Sequence, residues 1–154
     1  MKKMISYYLL LITIFNPTIN SACNMSRPSW KQNYNGFHNT RQYILYHGGK
    51  NIIMENNNIV QGEFECFYNH DKFILTNKNS ISYYIEIDHL FPWAEFKKRA
   101  KNCNQALDFF NDIDNLKIAS KMINRRKSDQ IDSNHKDHNC KICKKYDLDC
   151  NDIC

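Results

Sequence analysis

The chain has 154 residues, room for one modest domain, with a formal charge of +5 and seven cysteines. There is no internal repeat and no long low-complexity tract, which excludes solenoid and repeat architectures. Loss of Lys2 and Lys3 with a cleaved leader would lower the charge from +5 to +3, so the distribution of charge is more informative than its sum.

Lys2 and Lys3 precede an apolar run over residues 4–15, Asn16-Pro17 breaks it, and Ser21-Ala22 offers a small-residue cleavage site. This layout predicts a secretory signal over residues 1–22, hence an exported protein, secreted or periplasmic. The run is short for a bilayer span, so no transmembrane span is expected after its removal. Cys23 follows the cleavage site directly, where lipid attachment is the alternative. Asn20, standing where such sites prefer an aliphatic residue, argues against it.

Residues 24–39 are polar and aromatic, with Trp30, Tyr34 and Phe37 as anchors and little regular structure expected. A short helix is preferred from Thr40, stopped by His47-Gly48-Gly49. Residues 51–54 and 59–60 flank Asn56-Asn57-Asn58 and read as a hairpin. Two further strands are expected over 62–68 and 72–76. Residues 81–88 give the clearest strand, with Tyr83, Ile85 and Ile87 on one face and Tyr84, Glu86 and Asp88 on the other. After Phe91-Pro92-Trp93, residues 94–101 and 104–110 suit helices. Leu116, Ile118 and Ser120 suggest a second short strand, and residues 121–130 a helix on which Lys121, Asn124 and Lys127 or Ser128 share a face. Composition changes after Ser128, suggesting a boundary near residue 132.

The chemistry concentrates between Ile85 and Asp129. Hydrolysis of a phosphodiester needs a deprotonated water and something to hold the charge that gathers on the phosphorane and the leaving oxygen. Asp88 and Asn124 offer hard oxygens suited to Mg²⁺ or Mn²⁺. Adjacent His89, whose ordinary pKa leaves it mostly neutral at pH 7, can take the proton from water. Asn115 is better placed to brace the backbone beside His89 than to bind metal. Lys121, Arg125 and Lys127 are candidates for phosphate contact. Basic residues also cluster at Lys97, Lys98, Arg99 and Lys101, where a nucleic-acid surface and a solvated helix face are equally good readings.

The order strand, Ile87-Asp88-His89, Asp114-Asn115-Leu116, strand, Asn124-x-x-Lys127-x-Asp129 resembles the HNH (ββα-metal) nucleases, including the HNH domain of RNA-guided nucleases. A closer likeness is to small secreted bacterial HNH-family proteins, matched by Trp30, Asn39-Thr40-Arg41-Gln42, Gly62-Glu63-Phe64 and Phe109-Phe110-Asn111-Asp112. The likeness covers roughly Trp30 to Asp129. It departs at His38, near which such proteins carry a cysteine, and in the C-terminal cysteine cluster. It implies metal-dependent endonuclease activity with His89 as base, Asp88 and Asn124 as ligands of one Mg²⁺ or Mn²⁺, Asn115 as support, and Arg41 as either a phosphate contact or a structural ion pair.

Cys140, Cys143, Cys150 and Cys154, with His135 and His138, could form a structural Zn²⁺ site. Export favours disulfides. Cys66 and Cys103 could pair with each other or reach the tail. The expectation is an α+β protein: a leader over 1–22, an HNH nuclease domain over 23–132 with a strand-rich N-terminal extension, and a cysteine-rich tail over 133–154. DNA is the expected substrate, with RNA as an extension and no inhibitor protein indicated. A noncatalytic, disulfide-rich binding protein on a nuclease-like scaffold is the alternative, for which His89→Ala and chelation would change nothing.

Overall fold

Asn35 and Gly36 both take positive φ, +48° and +83°, the conformation a tight hairpin turn demands and asparagine and glycine tolerate. They join β1 (Gln32–Tyr34) to β2 (Phe37–Asn39), so the stretch read as irregular contains a hairpin. The computed structural model describes Cys23 and residues 25–154. The expected leader over residues 1–22 and its cleavage site lie outside the described residues.

Asn39 then caps α1 (Thr40–Gly48), its side chain accepting from Gln42 N at 3.0 Å, as an N-cap should. A Cβ at Gly49 would stand 3.0 Å from Leu45 O and 2.9 Å from Phe64 Cε1, so glycine lets α1 pass directly into the next strand. β3 (Lys50–Glu55), β4 (Asn58–Glu65) and β5 (Lys72–Leu75) form an antiparallel meander. Asn56 and Asn57, both at positive φ, make the first of its turns.

The expected strand over 81–88 is corrected. Asn77 caps a helix, α2 (Lys78–Tyr84), by accepting from Ser80 N at 2.8 Å, and the strand begins only at Ile85. That strand, β6 (Ile85–His89), pairs antiparallel with β7 (Leu116–Ser120), Ile85 facing Ser120 and His89 facing Leu116. Between them lie α3 (Trp93–Arg99) and α4 (Ala106–Phe110). Ser120 Oγ accepts from Ile123 N at 3.3 Å and starts α5 (Lys121–Lys127) without a linker. The described residues form a mixed α+β fold with three small sheets.

Two apolar cores flank the β6–β7 ribbon. One gathers Leu45, Phe64, Ile85, Ile87 and Ile118 between the meander, α1 and the ribbon. The other packs Phe91, Phe96 and Phe109 against Ile142, Tyr146 and Leu148 of the C-terminal segment, whose helix is α6 (Lys136–Lys145). Buried Asp112 receives Tyr146 Oη at 2.9 Å and Lys145 Nζ at 2.8 Å. The tail thus shares a core with the body, and the polar stretch after Ser128 joins parts of one packed unit.

The disulfides are Cys23–Cys103, Cys140–Cys154 and Cys143–Cys150. Both tail pairs close within the tail, in keeping with the expectation of disulfides there. Cys103 reaches back to Cys23, while Cys66 is a buried free thiol, so neither expected partnership for these two forms. A thioether-linked lipid on Cys23 would preclude its bond to Cys103. No helix among the described residues is long and apolar enough to cross a membrane.

Candidate active site

Alternation along β6 sends Ile85 and Ile87 into the core and puts Glu86 and Asp88 on the face that α5 covers. One face of α5 answers them residue by residue. Lys121 Nζ lies 3.9 Å from Glu86 Oε1, Asn124 Nδ2 donates to Glu86 Oε2 at 2.9 Å, and Lys127 Nζ is 2.9 Å from Asp88 Oδ2. The same Lys127 ammonium donates to His89 O at 3.1 Å. Ser128, at φ +53°, ends the helix. A cleft of about 180 Å³ results, its walls including Arg27, Asp88, His89, Trp93, Asn124 and Asp129.

Asp88 is nearly buried. Its Oδ2 accepts from Tyr68 Oη and is ion-paired with Lys127, while Oδ1 has no hydrogen bond among the described residues. Burial and the facing carboxylate hold the Tyr68 phenol well above its ordinary pKa, so it stays a donor. In Asn124 the amide nitrogen is used by Glu86, which leaves Oδ1 as the open atom.

His89 is 3% exposed. Its ring lies nearly parallel to Trp30, centroids 6.1 Å apart, and contacts Phe110 at 4.6 Å. Nε2 is 2.8 Å from Phe110 O. A carbonyl can only accept, so Nε2 carries the proton and Nδ1 the lone pair. Burial, chiefly, pushes the imidazole pKa down to about 4; the bond to Phe110 opposes this, and Arg27 and Lys127 add to the lowering. The ring is therefore neutral at pH 7, with one basic nitrogen.

Asn115, fully buried just before β7, reaches the chain just beyond His89. Its Oδ1 accepts from Phe91 N at 2.7 Å, its Nδ2 donates to Phe91 O at 3.1 Å, and its own carbonyl accepts from Leu90 N at 2.8 Å. His138 of α6 reaches the same Oδ1 at 3.3 Å, so the tail buttresses the site. Asn115→Ala would leave two buried backbone groups without partners, at roughly 1–3 kcal/mol each. We expect a loss of about 2–5 kcal/mol in urea unfolding, and an unchanged midpoint would show that water replaces the amide.

The four phosphate contacts expected from sequence do not form one surface. Lys127 has a side chain 9% exposed, with its ammonium held by Asp88 and the His89 carbonyl. Arg41 lines a groove of about 420 Å³ that shares Arg27 and Asn124 with the cleft, and it has no ion pair among the described residues. Lys121 and Arg125 face a different groove. Three of the four cations in the basic run after Trp93 are paired: Arg99 with Glu95 and Asp152, Lys98 with Glu95, and Lys101 with Asp147.

Sequence reasoning gave no role to Tyr68, Arg27 or Glu86. Glu86 was discoverable, since period two places it beside Asp88. Nothing local marks Tyr68, twenty residues away and outside the ribbon.

Among the described residues no group of three or more His, Cys, Asp or Glu side chains is placed to hold an ion. The Asp88 carboxylate and the Asn124 amide both line the cleft, and hard oxygen donors of this kind could hold Mg²⁺ or Mn²⁺, which complete their shells with water and phosphate. Comparison with protein-family models, curated proteins and solved structures found no match for this chain.

Proposed function

We propose that this chain is an exported, metal-dependent endonuclease of the HNH (ββα-metal) type, hydrolysing phosphodiester bonds of DNA and, by the same chemistry, of RNA. The observation that carries the reading is the convergence of Asp88, His89 and Asn124 on one cleft, by a two-stranded antiparallel ribbon running straight into a helix. Disulfides are compatible with an oxidising compartment.

Asp88 Oδ1 and Asn124 Oδ1 would hold the cation. When bound, the ion offsets the charge that develops on the phosphorane and on the leaving oxygen. His89 Nδ1 takes the proton of the attacking water, and Nε2, anchored on Phe110 O, keeps the ring in the tautomer that permits this. The aromatic walls exclude bulk water around the imidazole. Asn115 acts as a positioning residue by fixing the backbone of Phe91. Arg41 and Arg27 supply positive charge beside the cleft for the phosphates on either side of the scissile bond, a contact that gives affinity without sequence choice.

Lys127 makes a specific experiment available, because its ammonium competes with a cation for Asp88. Titration of the oxidised protein with Mn²⁺, followed by the electron-spin-resonance signal of the free ion, should give one site per chain. Asp88→Asn should weaken it at least tenfold, since even supporting residues of metal sites are worth roughly 10–100-fold. Lys127→Met should tighten it. Absence of any Mn²⁺ binding by folded wild type would favour the noncatalytic binding protein.

A further inference from the structure

A second groove, of about 680 Å³, is not used by the hydrolysis proposed above. β5 and α2 give it Phe73, Tyr83 and Tyr84, and α5 gives it Lys121, Arg125 and Arg126. Large aromatic rings usually go to a core or an interface, yet Tyr83 is 67% and Tyr84 46% exposed. Their rings are 4.8 Å apart and nearly perpendicular, and Tyr84 lies within 28° of parallel to Phe73. Arg125 and Arg126 are exposed and make no ion pair among the described residues; Asp71 is the lone carboxylate on the wall.

Two unpaired arginines, with Lys121 beside them shared with Glu86, against one carboxylate on the wall select a polyanion. The rings narrow the choice further. A duplex hides its base faces in the stack and presents edges and phosphates, whereas a single strand offers every base face to an aromatic side chain. We propose that this groove binds a single strand of nucleic acid, with bases stacked on Tyr83 and Tyr84 and phosphates held by Lys121, Arg125 and Arg126. The strand is delivered to the cleft on the neighbouring flank of α5, where Lys121 approaches the same Glu86 that holds Asn124. This link to the cleft rests on the nuclease reading; the binding itself does not.

The test is fluorescence anisotropy of a labelled sixteen-residue oligothymidylate with the oxidised protein in EDTA, where no cleavage intervenes. Tyr83→Ala and Tyr84→Ala should each weaken binding about tenfold or more, the size of one lost stacking contact. Tyr83→Phe should restore it, and a duplex of equal length should respond little to either alanine. Both tyrosines are surface residues, so each variant should melt as wild type does. Equal affinity of wild type and the two alanine variants would overturn the proposal, as would a failure to bind together with a concentration-dependent dimer that Tyr83→Ala dissolves. Metal-dependent cleavage of duplex in that case would leave the nuclease standing. Tyrosine-dependent binding without any cleavage would do the reverse.

Discussion

Replacing Cys23 and Cys103 together by serine is expected to cost the folded protein about 4 kcal/mol. The bond joins residues separated by 80 positions, and the chain-entropy account gives a loop of that length a stabilisation a little above 4 kcal/mol. Total stabilities of roughly 5–15 kcal/mol make that a large fraction. The cost should also be local, because Cys23 is buried in the core built from Phe91, Phe96 and Phe109, and its amide donates to Lys97 O at 2.9 Å. Urea unfolding of the double variant against wild type measures it directly. Thiol titration supplies an independent check, since native wild type should show no reactive thiol and unfolded wild type one, Cys66. Three thiols in the unfolded protein, or no loss of stability in the variant, would contradict the pairing, and two thiols, Cys66 and Cys103, would reopen Cys23 as a lipid site.

Removing the imidazole of His89 is expected to reduce cleavage by roughly 10²- to 10⁴-fold, the usual contribution of a general base. Burial decides which substitution reads this cleanly. A ring 3% exposed between Trp30, Phe109 and Phe110 leaves a cavity when truncated to alanine, at a cost of a few kcal/mol. His89→Gln preserves more of the volume and offers an amide nitrogen to Phe110 O, so it should retain most of the stability and lose the activity. The alanine variant has its own use, because added imidazole can enter the space it creates. Partial recovery of cleavage with imidazole, at an unchanged melting temperature, would assign the loss to proton transfer rather than to packing.

Much of the ribbon and helix was legible because short-range signals and the hydrophobic period agree there. Leu116 and Ile118 alternate, Ser120 caps, and Lys121, Asn124 and Lys127 recur at helical spacing, so β7 and α5 could be read directly from the sequence. Residues 78–84 show the opposite. Tyr83, Tyr84 and the β-branched residues after them suit a strand, and only the Asn77 cap signals the helix that forms, seven residues long and held with Ile81 in the core. The Asn35-Gly36 turn was present as a local signal and went unused among polar neighbours. The pairing of Cys23 with Cys103 had no such signal, since connectivity depends on the folded positions of segments far apart in sequence. The same is true of Tyr68 on Asp88, and of Lys127, whose helical face was evident although its partner was not. The basic run at residues 97–101 looked as good a polyanion surface as any, and the carboxylates that neutralise two of its members, Asp147 and Asp152, come from the tail.

Asp88, His89 and Asn124 are proposed to act together as a metal-dependent site. Incubating the oxidised mature protein with supercoiled plasmid, in Mg²⁺ or in EDTA and alongside His89→Gln, tests this most directly. Conversion to nicked and linear forms by wild type in Mg²⁺ alone, absent in EDTA and from the variant, is the predicted result. An intact plasmid with folded, Mg²⁺-supplied wild type, or cleavage that persists in EDTA or in folded His89→Gln, would contradict it.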